Sequence, residues 1–310
     1  MKEIALALGG GGIKGIAHIG VLKFLERNDY VVRAIAGTSA GGIVGALYAA
    51  GYKPAEIEDI INGVKPSDLF VPTYGNDPAL LGINGLNQTL NEALGGWQFK
   101  DLRMPFACTA VDLVSKQEIL LHQGNLIDAL LATSAVPGIF PPKQIGETIL
   151  MDGGVLDPVP VSLARWLAPG LPIVAVALSP RSERWASVSS FRMPNSAAIP
   201  SVILEQVSRL RIAQAFNIFL KSFDICSLQM TELRLELDQP DVIIRPQVEQ
   251  YGMLDDVTPQ ELAQLGETAA QQVARELARA LKWPRRVMRR IKRPAGLQGV
   301  FLTENGDTHV

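Results

Sequence analysis

Apolar residues along this chain come in two rhythms. Short unbroken apolar runs alternate with stretches whose apolar positions recur at helical spacing. Ile4–Leu8 reads as a buried strand and ends in four consecutive glycines, Gly9 to Gly12. A helical pattern follows through Ile16, Ile19, Leu22, Phe24 and Leu25. Val31–Ala36 predicts a second strand, and Ile43, Val44, Ala46, Leu47 and Tyr48 a second helix. Pro54–Ile61 predicts a third, with proline in its first turn and acids near its N-terminus. Residues 63–88 are rich in Gly, Pro, Asn and Asp and have no period; they read as a loop, and a lid over a site is one use for it.

Further on, Pro105–Val111 and Gln117–Leu121 predict two strands joined by a polar turn. Leu126–Ser134 reads as a helix stopped by the proline-broken stretch Val136–Pro142. Thr148–Met151 is a short strand ending in Asp152-Gly153-Gly154, and Ile173–Leu178 is another buried strand. Residues 181–200 read as mobile, Ser201–Phe223 as a long apolar-rich helix and Val242–Ile244 as a last strand. Thr258-Pro259-Gln260-Glu261 is a capping box opening a helix to about Leu281. Strands alternating with helices, many of them wholly apolar, predict an α/β fold with a mostly parallel sheet covered on both faces.

The chain of 310 residues, 47% hydrophobic and 19% charged, has room for one large domain with a sizeable core. We expect that domain over 1–281, with the core motifs in 4–180 and a helical and strand part in 181–281. A basic tail, 282–310, follows. Cys108 and Cys226 make no disulfide framework, which fits a reducing compartment. The start lacks the pattern of a signal peptide, so a cytoplasmic location is expected. Ala34–Tyr52 is uncharged but interrupted by five glycines, so it reads as strand, turn and helix rather than a membrane span.

Charge adds one asymmetry. Residues 282–310 carry seven Lys/Arg against two acids, a net +5, which leaves −7 on the rest. All seven cations fall in 282–293, where Trp283, Val287 and Ile291 would form an apolar stripe on a basic helix. Such a segment suits peripheral contact with an anionic membrane, with a solvated terminus as the bland alternative and nucleic acid the least favoured partner.

The candidate chemistry begins at Gly37-Thr38-Ser39-Ala40-Gly41, a G-x-S-x-G between strand-like and helix-like runs. A sharp strand-to-helix turn lifts a serine Oγ clear of the sheet, and the small residues at Gly37 and Gly41 let neighbouring backbone pass. Gly10-Gly11-Gly12-Ile13-Lys14-Gly15 also satisfies the dinucleotide pattern G-x-G-x-x-G. The acid that would hold a ribose at the end of the second strand is missing, so no dinucleotide is expected. The favoured reading is an oxyanion hole, with N–H groups of Gly10, Gly11 and Gly12 at a helix start aimed at developing charge and Lys14 beside them.

A serine needs a base. Of three histidines, His18 lies in the first helix, His122 closes a strand and His309 is penultimate; none sits in a late strand-end loop. Asp152, at a strand end before Gly153-Gly154, is the remaining option.

With these three elements in order, the chain resembles the patatin-like phospholipases, whose pattern joins a G-G-G-x-[RK]-G loop, a G-x-S-x-G elbow and a D-G-[GA] turn. Ser134–Pro142 resembles the family's proline-rich segment, and Val242–Pro246 the closing strand of bacterial members. The resemblance covers about residues 4–180. It implies a three-layer α/β/α fold and a Ser39–Asp152 dyad that hydrolyses acyl esters of lipids without cofactor or metal. Lys14 stands where relatives often carry Arg, and Asp157 where they often show Asn. An acyltransferase using the same acyl-enzyme, or a lipid-binding protein with a vestigial site, are the competing functions.

Overall fold

The computed structural model describes residues 1–63, 84–180, 204–252, 257–282, 296–303 and 308–309. β1 (Lys2–Leu8) leads through a 3-10 turn, Gly12–Ile16, into α1 (Ala17–Arg27). β2 (Tyr30–Gly37), α2 (Ala40–Ala50), α3 (Pro54–Gly63) and α4 (Asn84–Leu94) follow. The middle of the chain holds β3 (Phe106–Asp112), β4 (Glu118–Leu121), α5 (Leu126–Thr133), β5 (Lys143–Ile145) and β6 (Thr148–Asp152). Next come α6 (Val161–Leu167) and β7 (Ile173–Val176). The last third consists of α7 (Leu204–Asp238), β8 (Val242–Ile244), α8 (Pro259–Gln272), α9 (Ala274–Ala280), β9 (Val300–Leu302) and β10 (Thr308–His309).

The strands form one sheet in the order β10-β9-β4-β3-β2-β1-β7-β8, with β6 and β5 branching from β3. From β3 to β8 all neighbours are parallel. Alternation along each strand sorts side chains by size. Ile4, Leu6, Leu8, Ile35, Val174 and Val176 join the larger core with α1, α2 and α8. Ala5, Ala7, Ala34, Ala36 and Ala175 face the other way, onto Val161, Leu163 and Ala164 of α6 and Leu235 of α7. Both faces are covered, giving three layers, α/β/α.

Several expectations need amendment. Residues 64–83 of the expected 63–88 loop, and the expected mobile stretch 181–200, lie outside the described residues. Asn84–Leu94 is helical, its Leu90 and Leu94 buried. The long helix runs beyond Phe223 to Asp238 because Leu235 and its neighbours find a face of the sheet to cover. The expected capping box does not form: Thr258 makes no side-chain cap bond, the Glu261 N–H donates to the Thr258 carbonyl at 3.0 Å, and the Glu261 carboxylate accepts from Tyr251 Oη at 2.5 Å. The expected C-terminal tail is not wholly apart from the domain: β9 pairs in parallel with β4 through Ile119 and Leu120. Three apolar residues carry no period, so nothing local announced that strand. Of the basic segment 282–293, only Lys282 is described.

Candidate active site

Ser39 sits between β2 and α2 with φ 54° and ψ −125°, a conformation L-residues avoid at roughly 1–3 kcal/mol. Its neighbours hold it there. The Ser39 N–H donates to Thr133 Oγ1 at 2.9 Å, and the Thr38 N–H to Leu8 O at 3.0 Å. Gly41 must lack a side chain, because a Cβ would lie 2.2 Å from Leu8 O. Gly37 packs equally closely on the backbone of Gly41 and Gly42. The G-x-S-x-G spacing is thus a consequence of backbone crossing backbone on either side of the strained serine.

Sheet topology brings Asp152 to it. β4 occupies one edge of β3 over Cys108–Val111. On the other edge β2 pairs only as far as Gly37 with Cys108. β6 takes over that edge, antiparallel, with Asp152 opposite Ala110. The aspartate therefore arrives two residues along β3, about 7 Å, beyond the point where β2 turns into the elbow. The Asp152 N–H donates to Ala135 O at 2.9 Å, which gives the proline-rich segment a structural task.

Asp152 is 3% exposed, and Ser39 6%. Burial raises the Asp152 carboxyl to about 6, against the opposing pull of the neighbouring Ser39 hydroxyl and of the Gly154 N–H, which donates to Asp152 Oδ1 at 2.7 Å. It is ionised at neutral pH yet basic enough to take a proton. Gly153 fits only as glycine, since a Cβ would meet Thr109 Oγ1.

The glycine loop lies against the same place; a Cβ on Gly10 would stand 3.2 Å from Ser39 Cβ. The three expected donors are not equivalent. Gly10 gives its N–H to Pro158 O at 3.0 Å, so it is not available to an oxyanion. Among the described residues no acceptor takes the N–H groups of Gly11 and Gly12, which open the 3-10 turn. Gly12 has φ 60°, a backbone that favours glycine. Gly15 packs on Ala40 at the start of α2, tying loop to elbow. Gly11, Gly12, Lys14, Ser39, Asp152 and Gly154 all line one cleft of about 70 Å³. Its far wall is Phe223, Ser227, Leu228 and Thr231 of α7.

Residues 6–165, half of the chain, match the patatin-like phospholipase family. The chain belongs to that family. An uncharacterised NTE family protein of Mycobacterium bovis is 31% identical over 165 residues, 52% of this chain and 45% of its own length. The lysophospholipase NTE1 of Pyricularia oryzae is 25% identical over 282 residues, 86% of this chain but 18% of the fungal protein. The chain thus spans less than half the length of these relatives. Among solved structures, VipD from Legionella pneumophila superposes with a TM-score of 0.53 at 13% identity, covering 90% of this chain and 67% of that one. That likeness carries the fold: a patatin-like three-layer α/β/α sandwich.

The patatin-like frame also shows which residues the sequence left unassigned. His18 is fully buried and its Nε2 bonds Gly9 O at 2.8 Å. Burial lowers its pKa to about 4, so it is neutral and holds the glycine loop. His122 packs edge-on against Trp166 and Phe301, with ring centroids 5.4 and 4.8 Å away. Thr38 Oγ1 donates to Asp157 O and accepts from Thr109 Oγ1, both at 2.9 Å. Nothing in a local pattern marks Thr38, Thr109 or Thr133; each acts through a partner at least 71 positions away.

Asp157, the departure noted in the sequence, is wholly buried beside Glu118, Arg234 and Asp238. Burial first, and then the Glu118 charge, push its pKa well above the ordinary carboxylate range, against the opposing pull of Arg234. The shift favours the protonated acid beside the Glu118 carboxylate. Glu118 in turn receives Arg234 Nη2 at 2.5 Å, and Arg234 Nε donates to Leu156 O at 2.9 Å.

Proposed function

We propose that this chain is a serine lipid acyl hydrolase that cleaves carboxylic esters through an acyl-enzyme. The observation that carries the reading is one cleft lined by Ser39, Asp152, Gly11 and Gly12, with the Ser39 hydroxyl beside the Asp152 carboxyl. Asp152 takes the Ser39 proton as Oγ attacks the ester carbonyl, and the carbonyl oxygen becomes an oxyanion held by the two glycine N–H groups. Collapse expels the alcohol, which leaves with the proton from Asp152. Water then enters, gives a proton to Asp152 and attacks the acyl-enzyme; the acid departs and Ser39 regains its proton. A pKa of about 6 suits a group that must accept and return a proton near neutrality.

The name of the fungal relative, a lysophospholipase, supports single-chain phospholipid esters as the first natural substrate to try. The basic segment 282–293 is proposed to meet anionic lipid, which sedimentation with anionic vesicles tests on the intact and truncated chains. No helix among the described residues is long and apolar enough to cross a membrane.

A fluorophosphonate probe and a short-chain nitrophenyl ester test the assignment. Wild type and His18→Asn should label and turn over, whereas Ser39→Ala and Asp152→Asn should not. A folded wild type that neither labels nor hydrolyses any ester would sink the proposal. Product analysis with an added alcohol separates hydrolysis from acyl transfer.

A further inference from the structure

The sheet leaves a gap between Ser39 and Asp152. β2 pairs with β3 only as far as Gly37 with Cys108, and β6 takes that edge only from Ala110 onward, where it ends in Asp152. β2 and β6 are not neighbours in the sheet, so no ladder holds the serine turn, residues 37–41, against the aspartate turn, residues 152–158. Setting aside Ser39 and Asp152 themselves, one hydrogen bond among the described residues joins the two turns. Thr38 Oγ1 donates to Asp157 O at 2.9 Å.

Thr38 is fitted to this place on both arms of its side chain. Its hydroxyl accepts from Thr109 Oγ1, which leaves its one proton for Asp157 O. Its methyl lies between the glycine loop and the aspartate turn: a Cβ on Gly10 would stand 3.7 Å from Thr38 Cγ2, and one on Gly154 3.9 Å. Serine lacks that methyl, and valine lacks the donor. Thr38 is fully buried and lies outside the cleft lining, so it does not touch substrate.

The carbonyl that Thr38 holds is one of three in a row. Leu156 O accepts from Arg234 Nε at 2.9 Å, Asp157 O from Thr38, and Pro158 O from the Gly10 N–H at 3.0 Å. These donors belong to three parts of the site. Arg234 lies on α7 about three turns past Phe223, in line with Phe223, Ser227 and Thr231 of the cleft wall. Gly10 begins the glycine loop, and Thr38 precedes the serine. Residues 156–158 thus gather wall, glycine loop and serine onto the turn that carries Asp152.

We infer that Thr38 is a positioning residue, which by holding Asp157 O sets Ser39 Oγ against the Asp152 carboxyl across the gap in the sheet. Its effect on rate rests on the acyl-enzyme reaction proposed above; its effect on geometry rests on the fold alone. The bond uses the Asp157 backbone, so Asp157→Asn leaves it in place.

Thr38→Val, Thr38→Ser and Thr38→Ala in the full chain separate the hydroxyl from the methyl. With the nitrophenyl ester, Thr38→Val should lower kcat about 100-fold and change KM by less than about threefold. Fluorophosphonate labelling should slow by a similar factor. The acid limb of kcat/KM should move up from about 6, because a displaced Ser39 hydroxyl no longer pulls the Asp152 carboxyl down. Thr38→Ser should keep kcat within about fivefold of wild type. A folded Thr38→Val with kcat within about threefold of wild type overturns the proposal, as does a Thr38→Ser that loses as much as valine. Where valine does not fold, serine against alanine decides, since they differ by the hydroxyl alone; equal rates overturn it. Crystal structures separate this outcome from failure of the hydrolase reading. Even in a chain that turns over no ester, Ser39 Oγ and Asp152 should lie about 1 Å further apart in Thr38→Val than in wild type. An unmoved pair overturns the positioning role whatever the activity.

Discussion

Asp152 and Asp157 lie five positions apart, on either side of one tight turn, and both are buried. One lies beside the Ser39 hydroxyl and accepts from the Gly154 N–H; the other sits beside the Glu118 carboxylate. The first is raised to about 6, and the second is raised well above the ordinary carboxylate value. Burial acts on both alike. What separates the two carboxyls is the charge nearest each: Asp157 has the Glu118 carboxylate beside it, and no neighbouring charge acts on Asp152.

The sharpest way to break this contrast is to remove one carboxylate at a time. Asp152→Asn, like Ser39→Ala, should reduce ester turnover by about 10⁴-fold, while Asp157→Asn leaves it within about threefold. Comparable losses in the two aspartate variants, measured on folded protein, would erase the distinction. Next in size is the support beneath Asp157. Arg234→Met strands Glu118 in the interior and should destabilise the fold by about 3–5 kcal/mol in urea unfolding.

The pKa of Asp152 adds a prediction about both stability and rate. Its folded pKa, about 6, lies above its ordinary value of 3.8, so ionising it opposes folding. Its share of stability is fully present below pH 4 and is lost as pH rises through 6, at most about 3 kcal/mol. Asp152→Asn should therefore raise Tm at pH 8 and lose that advantage near pH 4. In the wild type kcat/KM should fall tenfold per pH unit below about 6, as the base becomes protonated. An acid limb near 4, with no gain in Tm, would mean that Asp152 is solvated in solution.

Smaller effects sharpen the picture. His18→Phe leaves Gly9 O without its donor and should cost about 1–3 kcal/mol of stability. Asp157→Asn, an isostere of the protonated acid, should shift stability by less than about 1.5 kcal/mol at pH 7. A larger change would show that Asp157 carries a charge in the folded protein.

Much of this site was legible before folding. Gly37, Ser39 and Gly41 had to stand at a strand-to-helix turn because their spacing makes sense only where backbones cross. The run of glycines before α1 has two readings, a dinucleotide loop or an oxyanion hole, and the missing ribose acid favours the second; the shortage of suitable histidines points to Asp152. What escaped were contacts between distant positions. Gly10 looked as free as Gly11 and Gly12 until Pro158, 148 positions later, took its N–H. Thr133 carries no motif, yet it fixes the backbone of Ser39, and Ala135 of the proline-rich segment fixes that of Asp152.

The sequence by itself determined the alternation of strands and helices, the strained serine turn and the identity of the groups able to do chemistry. Each of those depends on spacing within one element or across one turn, which residue order specifies directly. The tertiary structure decided which carboxyl ionises, which glycine N–H groups stay open and which face of α7 meets the domain. These depend on desolvation and on partners recruited across the sheet. Only the handover of the β3 edge from β2 to β6 brought Asp152 to Ser39, because register between strands is settled by packing rather than by any run of residues.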